Sequence, residues 1–136
     1  MYKNRYNLIC YNTYGGIDMN KYILDFLKDI MAIDSPSGYS KKVIHYCQKE
    51  AEKLGFQTKK THKGNLEIYV EGQDDYTIGF CGHVDTLGLM VRSIKSDGTL
   101  AFTNVGGPII PTLDGEYCRI HTRDGQCYTG TILSNY

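Results

Sequence analysis

The residues best suited to chemistry are His83 and Asp85, in Gly82-His83-Val84-Asp85. In an extended backbone, residues two apart point to the same side, so this spacing projects an imidazole and a carboxylate together. A neutral imidazole is a common ligand for a divalent metal. A ligating His usually gives its other ring N–H to a carboxylate, which fixes the tautomer and raises the basicity of the ligand. The spacing thus fits His83 as a metal ligand and Asp85 as the catalytic carboxylate that orients it; by itself it fits a structural polar pair as well. The pair follows the nearly all-apolar run at residues 76–81, which reads as a strand buried on both faces in the middle of an α/β sheet. In open α/β sheets, sites form beyond the carboxyl ends of such strands.

Other chemistry-bearing residues are less organised. His45, His62 and His121 read as surface or packing residues. The five cysteines are scattered and odd in number, with no C-x-x-C pair. That spacing argues against a zinc ribbon or a disulfide framework, and for plain buried or half-buried thiols in a reducing compartment. No Ser/His/Asp or Cys/His arrangement is legible, and the glycine pairs form no phosphate loop.

The elements that must position His83 and Asp85 come from a chain of 136 residues with fifteen Lys plus Arg against fifteen Asp plus Glu. Zero net charge without a basic run argues against a nucleic-acid or anionic-membrane surface. No apolar run approaches the ~18 residues of a membrane span, and the N-terminus lacks a signal-peptide core. The expected setting is the cytoplasm. Residues 1–18 form an unpatterned leader rich in Tyr and Asn. From Met19 a helix is expected, capped by Asn20, with Ile23, Leu24, Leu27, Ile30 and Met31 at steps of three and four. Ser35-Pro36-Ser37-Gly38 stops it. A second helix spans about 40–54, with Val43, Ile44, Cys47, Ala51 and Leu54 on its apolar side and Gly55 as its terminal cap. Hairpins are expected at 56–71, 89–105 and 116–133, around turns at 63–65, 96–98 and 123–126.

Gly82-His83-Val84-Asp85-Thr86-Leu87-Gly88, and its continuation through Val105-Gly106-Gly107, resembles the glutamyl and deblocking aminopeptidases, dinuclear-metal peptidases that build tetrahedral dodecamers. Ser35-Pro36-Ser37-Gly38 resembles that family's loop after the first helix, and the stretch 113–125 its next pair of strands. The resemblance implies the N-terminal part of an α/β/α zinc-peptidase sandwich, followed by the start of an inserted antiparallel β-barrel-like domain. It divides the chain into the leader 1–18, a catalytic-domain portion 19–87 and a β portion 88–136. It implies two divalent cations, zinc or cobalt, that clamp an attacking water, with His83 as a ligand and Asp85 beside it. Peptide substrates and a homo-oligomer are its expected partners. The remaining ligands, the general base and the specificity pocket would lie beyond Tyr136, so the 136-residue chain alone is expected to be inactive. The acetylornithine deacetylase and carboxypeptidase group, which shares G-H-x-D, and a non-catalytic truncated remnant are the alternatives. Translation is expected to begin at Met19, with Gly15-Gly16 encoded by a ribosome-binding stretch and residues 1–18 as read-through.

Overall fold

A computed structural model describes residues 13–14, 17–73 and 75–133. The expectations for most of the leader and for Cys10 lie outside the described residues. Within the leader, Thr13–Tyr14 (β1) pairs antiparallel with Ile17–Asp18 (β2). The chain divides into two compact units, one holding the described residues to Asp34 together with Ser40–Val84, the other Ser35–Tyr39 with Asp85 onward.

The first unit is built on helices α1 (Met19–Ala32) and α2 (Lys41–Lys53). Asp18, not Asn20, caps α1: its carboxylate accepts from the Asn20 and Lys21 amides at 3.1 and 3.3 Å. These are amides that the helix start leaves without intrahelical partners. The aliphatic stripe expected to be core is not buried, with Ile23 and Met31 56% and 65% exposed. The face that meets α2 is aromatic instead. Phe26 stacks between Tyr22 and Tyr46 at 6.2 and 5.9 Å, and the Tyr46 hydroxyl donates to Asp29 at 2.6 Å. That hydrogen bond to a carboxylate pushes the Tyr46 phenol above its ordinary range. Helix α2 follows its pattern more closely, since Val43 and Ala51 are buried. It ends in the cap expected at Gly55: the Gly55 amide donates to Glu52 and the Phe56 amide to Ala51, both at 3.0 Å. A hairpin of β3 (Gln57–Lys60) and β4 (Leu66–Tyr69) follows. Gln48 of α2 donates to both Glu52 and Thr58, which ties the helix to β3.

The second unit carries two hairpins, β5 (Gly88–Ile94) with β6 (Leu100–Val105), and β7 (Tyr117–His121) with β8 (Cys127–Thr131). A short 3-10 helix, Ile110–Leu113, lies between them with Pro111 in its first turn. The hairpins β3–β4, β5–β6 and β7–β8 turn the same way. Lys95 N–H donates to Thr99 O at 2.8 Å and Gly98 N–H to Lys95 O at 3.0 Å, and the equivalent bonds close 61–65 and 122–126. Gly64, Gly98 and Gly125 have φ of 89, 85 and 86°, with no positive φ at any described non-glycine residue. These are three-residue loops that end in a left-handed glycine; a two-residue Asp-Gly turn would need positive φ at the Asp as well. In β5 the register slips between Val91 and Ser93, which leaves Arg92 as a bulge. Val91 faces Phe102 and Ile94 faces Leu100, so the bulge puts Val91 and Ile94 on one face despite their odd spacing.

The buried central strand expected at 76–81 does not form. These residues lie outside every described strand, and Ile78 and Phe80 are 65% and 94% exposed. A strand covered on both faces needs neighbours brought from far along the chain. Each sheet among the described residues is instead a two-stranded antiparallel pair made by chain neighbours. The cysteines also differ in part from expectation: the described ones are free, but Cys81 and Cys127 are exposed while Cys47 and Cys118 are half-buried.

Candidate functional site

The boundary between the two units falls between Val84 and Asp85, inside the motif. His83 is exposed and Asp85 half-buried, and neither lies in a strand. The described residues therefore do not supply the buried strand end that the sequence placed beneath this pair. What positions Asp85 is a different element, the loop after α1.

That loop, Ser35–Tyr39, belongs to the second unit although α1 belongs to the first. The Thr86 amide donates to the Ser35 carbonyl at 2.9 Å, and Pro36 and Thr86 form a parallel bridge. The Ser35 side chain is fully buried. The Tyr39 amide donates to the Pro36 carbonyl at 2.7 Å, and Gly38 has φ of 88°. This is a turn with a left-handed glycine at its third position, and Ser37 stands at its corner. From there the Ser37 hydroxyl donates to Asp85 Oδ2. Pro36 also lies against Gly88 so closely that a Cβ there would meet the Pro36 Cβ at 2.5 Å. Tyr39 stacks on His121 of β7, with ring centroids 5.1 Å apart.

The structure thus brings Asp85 to Ser37 and His121 to Tyr39, within one unit. His45 on α2 and His62 in the β3–β4 loop are exposed in the other unit. Sequence reading assigned Ser37 no role, since a Ser and an Asp 48 positions apart carry no pattern that links them. His121 is half-buried and makes the packing contact expected of it.

As a donor set, His83 and Asp85 are one imidazole and one carboxylate. Among the described residues no three His, Cys, Asp or Glu side chains come together to hold a metal ion. Metal sites in proteins use three or four protein ligands, so the described residues do not make a closed site.

Residues 64–136, which include the motif, match the profile of the M42 glutamyl aminopeptidase family. The chain belongs to that family. It is 39% identical over 111 residues to YhfE of Bacillus subtilis (strain 168), a protein assigned as an aminopeptidase, across 81% of this chain and 32% of YhfE. It is 27% identical over 106 residues to the glutamyl aminopeptidase of Lactococcus lactis subsp. cremoris (strain MG1363), across 76% of this chain and 30% of that protein. Its fold is similar to the crystal structure of a TET aminopeptidase from the marine sediment archaeon Thaumarchaeota archaeon SCGC AB-539-E09, with a TM-score of 0.77 and 27% identity. That match covers 85% of this chain and 32% of the archaeal chain. The chain therefore spans about a third of the length of the relatives it matches. The acetylornithine deacetylase and carboxypeptidase alternative is not favoured by these matches. No described helix is long and apolar enough to cross a membrane.

Proposed function

We propose that this chain supplies the first metal ligand and its orienting carboxylate to a metal-dependent aminopeptidase that removes N-terminal residues from peptides. The observation that carries the reading is the family match, whose span includes Gly82-His83-Val84-Asp85. His83 would bind one of two divalent cations, zinc or cobalt, through one ring nitrogen. Asp85 would accept the other ring N–H and hold the imidazole in the ligating tautomer. When bound, the metals would supply Lewis acidity and an activated water for hydrolysis of the peptide bond. The chain's own residues bind and orient; the proton-transfer groups would come from sequence corresponding to the other two thirds of the relatives' length. A cytoplasmic setting and a homo-oligomeric enzyme are part of the same reading, supported by the cysteine pattern and by the family respectively.

The test joins this chain to the part of YhfE that it does not cover, and assays release of an N-terminal amino acid from a chromogenic amide with zinc or cobalt supplied. His83→Ala should remove one metal and nearly all turnover. Asp85→Asn should lower metal affinity or activity about 10–100-fold. His62→Ala is the control, because His121 stacks on the loop that holds Asp85 and is not independent of it. Full turnover in His83→Ala with both metals retained would overturn the reading.

A further inference from the structure

We propose that Ser37 is the positioning residue of the Asp85 carboxylate: its hydroxyl, held at the corner of the 36–39 turn, fixes the rotamer that Asp85 offers to His83. This deepens the function proposed above and rests on it. The two residues are 48 positions apart, and the Ser37 hydroxyl donates to Asp85 Oδ2.

The physical case starts from the freedom of an Asp side chain. Its terminal torsion is broad, so a carboxylate on a half-buried loop does not hold one orientation unaided. A hydrogen bond from a hydroxyl to a charged oxygen is short and roughly twice as strong as a neutral one. With Oδ2 held in this way, rotation of the carboxylate is arrested. The donor is neutral, so this bond does not offset the charge of Asp85. A Lys or Arg at position 37 would offset that charge.

Serine is a short arm, and its hydroxyl goes where its backbone goes. The bond therefore depends on how well the loop is fixed, and three separate contacts fix it. Thr86 N–H donates to Ser35 O at 2.9 Å. Pro36 packs on Gly88 with no room for a Cβ between them. Tyr39 stacks on His121 at 5.1 Å. Two of these anchors, Thr86 and Gly88, lie within three positions of Asp85 in sequence, so the loop and the carboxylate share one local frame. The arrangement reads as a clamp on Asp85 and not as a chance surface contact.

The experiment uses the 136-residue chain labelled with 13C and 15N, with Co2+ alone as the probe. The Asp85 carboxyl carbon resonance reports the hydrogen bond. Paramagnetic shifts of the His83 ring resonances report cation binding at that residue, resolved from His45, His62 and His121. Ser37→Ala should move the Asp85 resonance and weaken Co2+ at His83 about three- to tenfold, a fraction of the ~10–100-fold attached to losing an outer partner outright. Ser37→Thr should restore both. In an Asp85→Ala background, Ser37→Ala should cost nothing more, because residues that act through one another are not additive.

Additive losses, or an unmoved Asp85 resonance in Ser37→Ala, would overturn the proposal. If Asp85→Ala weakens Co2+ and Ser37→Ala does not, the positioning role fails while the site reading stands. If Co2+ at His83 ignores both substitutions, the site reading itself fails. Should Ser37→Ala release the whole loop, seen as lost protection of the Thr86 amide, Ser37→Thr and Ser37→Cys decide. Thr keeps a strong donor and Cys has a weak one, so equal Co2+ affinity in the two overturns the proposal.

Discussion

Residues 76–81 and 88–94 have much the same apolar character, and both invite reading as strands. The second stretch, β5, pairs along nearly its whole length with β6. The first pairs with nothing described as a strand, and Phe80 is almost fully exposed. The difference lies in where the partner sits. β5 meets its partner across the three-residue loop 96–98, which ends in the left-handed Gly98. Closing so short a loop costs little entropy, and the turn itself sets the register. A central strand must be met by segments distant in sequence, and among the described residues no strand pairs with 76–81. An apolar pattern therefore states what a segment needs, and the availability of a neighbour decides whether it gets it.

The largest expected effect is in amide hydrogen exchange. The cross-strand bonded amides of β5 and β6 should exchange about a hundredfold more slowly than those of residues 77–81, since local opening costs free energy in the first and little in the second. Mass spectrometry on peptides from the two stretches measures this, and equal protection would break the comparison.

A middle-sized effect should come from the point where pairing begins. Gly88→Ala puts a Cβ against the rigid ring of Pro36, an overpacking that typically costs about 1–3 kcal/mol. The strain should undock the 35–39 loop and speed exchange at the Thr86 amide about tenfold, with residues 77–81 unchanged. An unaltered Thr86 amide would show that the loop is not held through this contact.

The smallest effect should appear on acidification. Asp97 accepts from the Thr99 backbone amide and hydroxyl, and these hydrogen bonds, the backbone one foremost, hold its carboxyl below the ordinary range. A depressed folded pKa gives stabilisation that is complete above the unfolded value, roughly pH 4, and is lost as pH falls through the folded value. The β5–β6 turn should therefore loosen slightly below about pH 4, followed by nuclear magnetic resonance at the Thr99 amide. Asp97→Asn should remove that pH dependence and leave residues 76–81 unaffected at every pH.

Local elements were legible where the signal was local. Gly55 after an apolar helix face, and Gly98 and Gly125 between alternating runs, each specify a backbone conformation that few other residues adopt. The cap of α1 was misread by two positions, since Asp18 and Asn20 are both good caps and pattern alone does not choose between them. The aliphatic stripe of α1 was correctly identified as a stripe, but Tyr22 and Phe26 form the contact with α2. Periodicity shows that a face is apolar and not what lies against it. Of the candidate site, the Gly-His-Val-Asp motif was legible as a mark of the family, whereas the contact of Ser37 with Asp85 was not.

By itself, the sequence determined the family, the two helices and the three hairpins, and it set an imidazole and a carboxylate two positions apart at 83 and 85. The helices, the hairpin turns and the motif spacing depend on residues within a few positions of one another, where backbone geometry converts spacing directly into shape. The tertiary structure alone decided that the loop after α1 docks on residues 85–88, that Ser37 meets Asp85 and that Tyr39 meets His121. These contacts join residues from 48 to 82 positions apart. They form because Pro36 fits against a residue without a side chain and the Thr86 amide finds the Ser35 carbonyl, complementarities of shape and hydrogen bonding that exist only once the chain has folded.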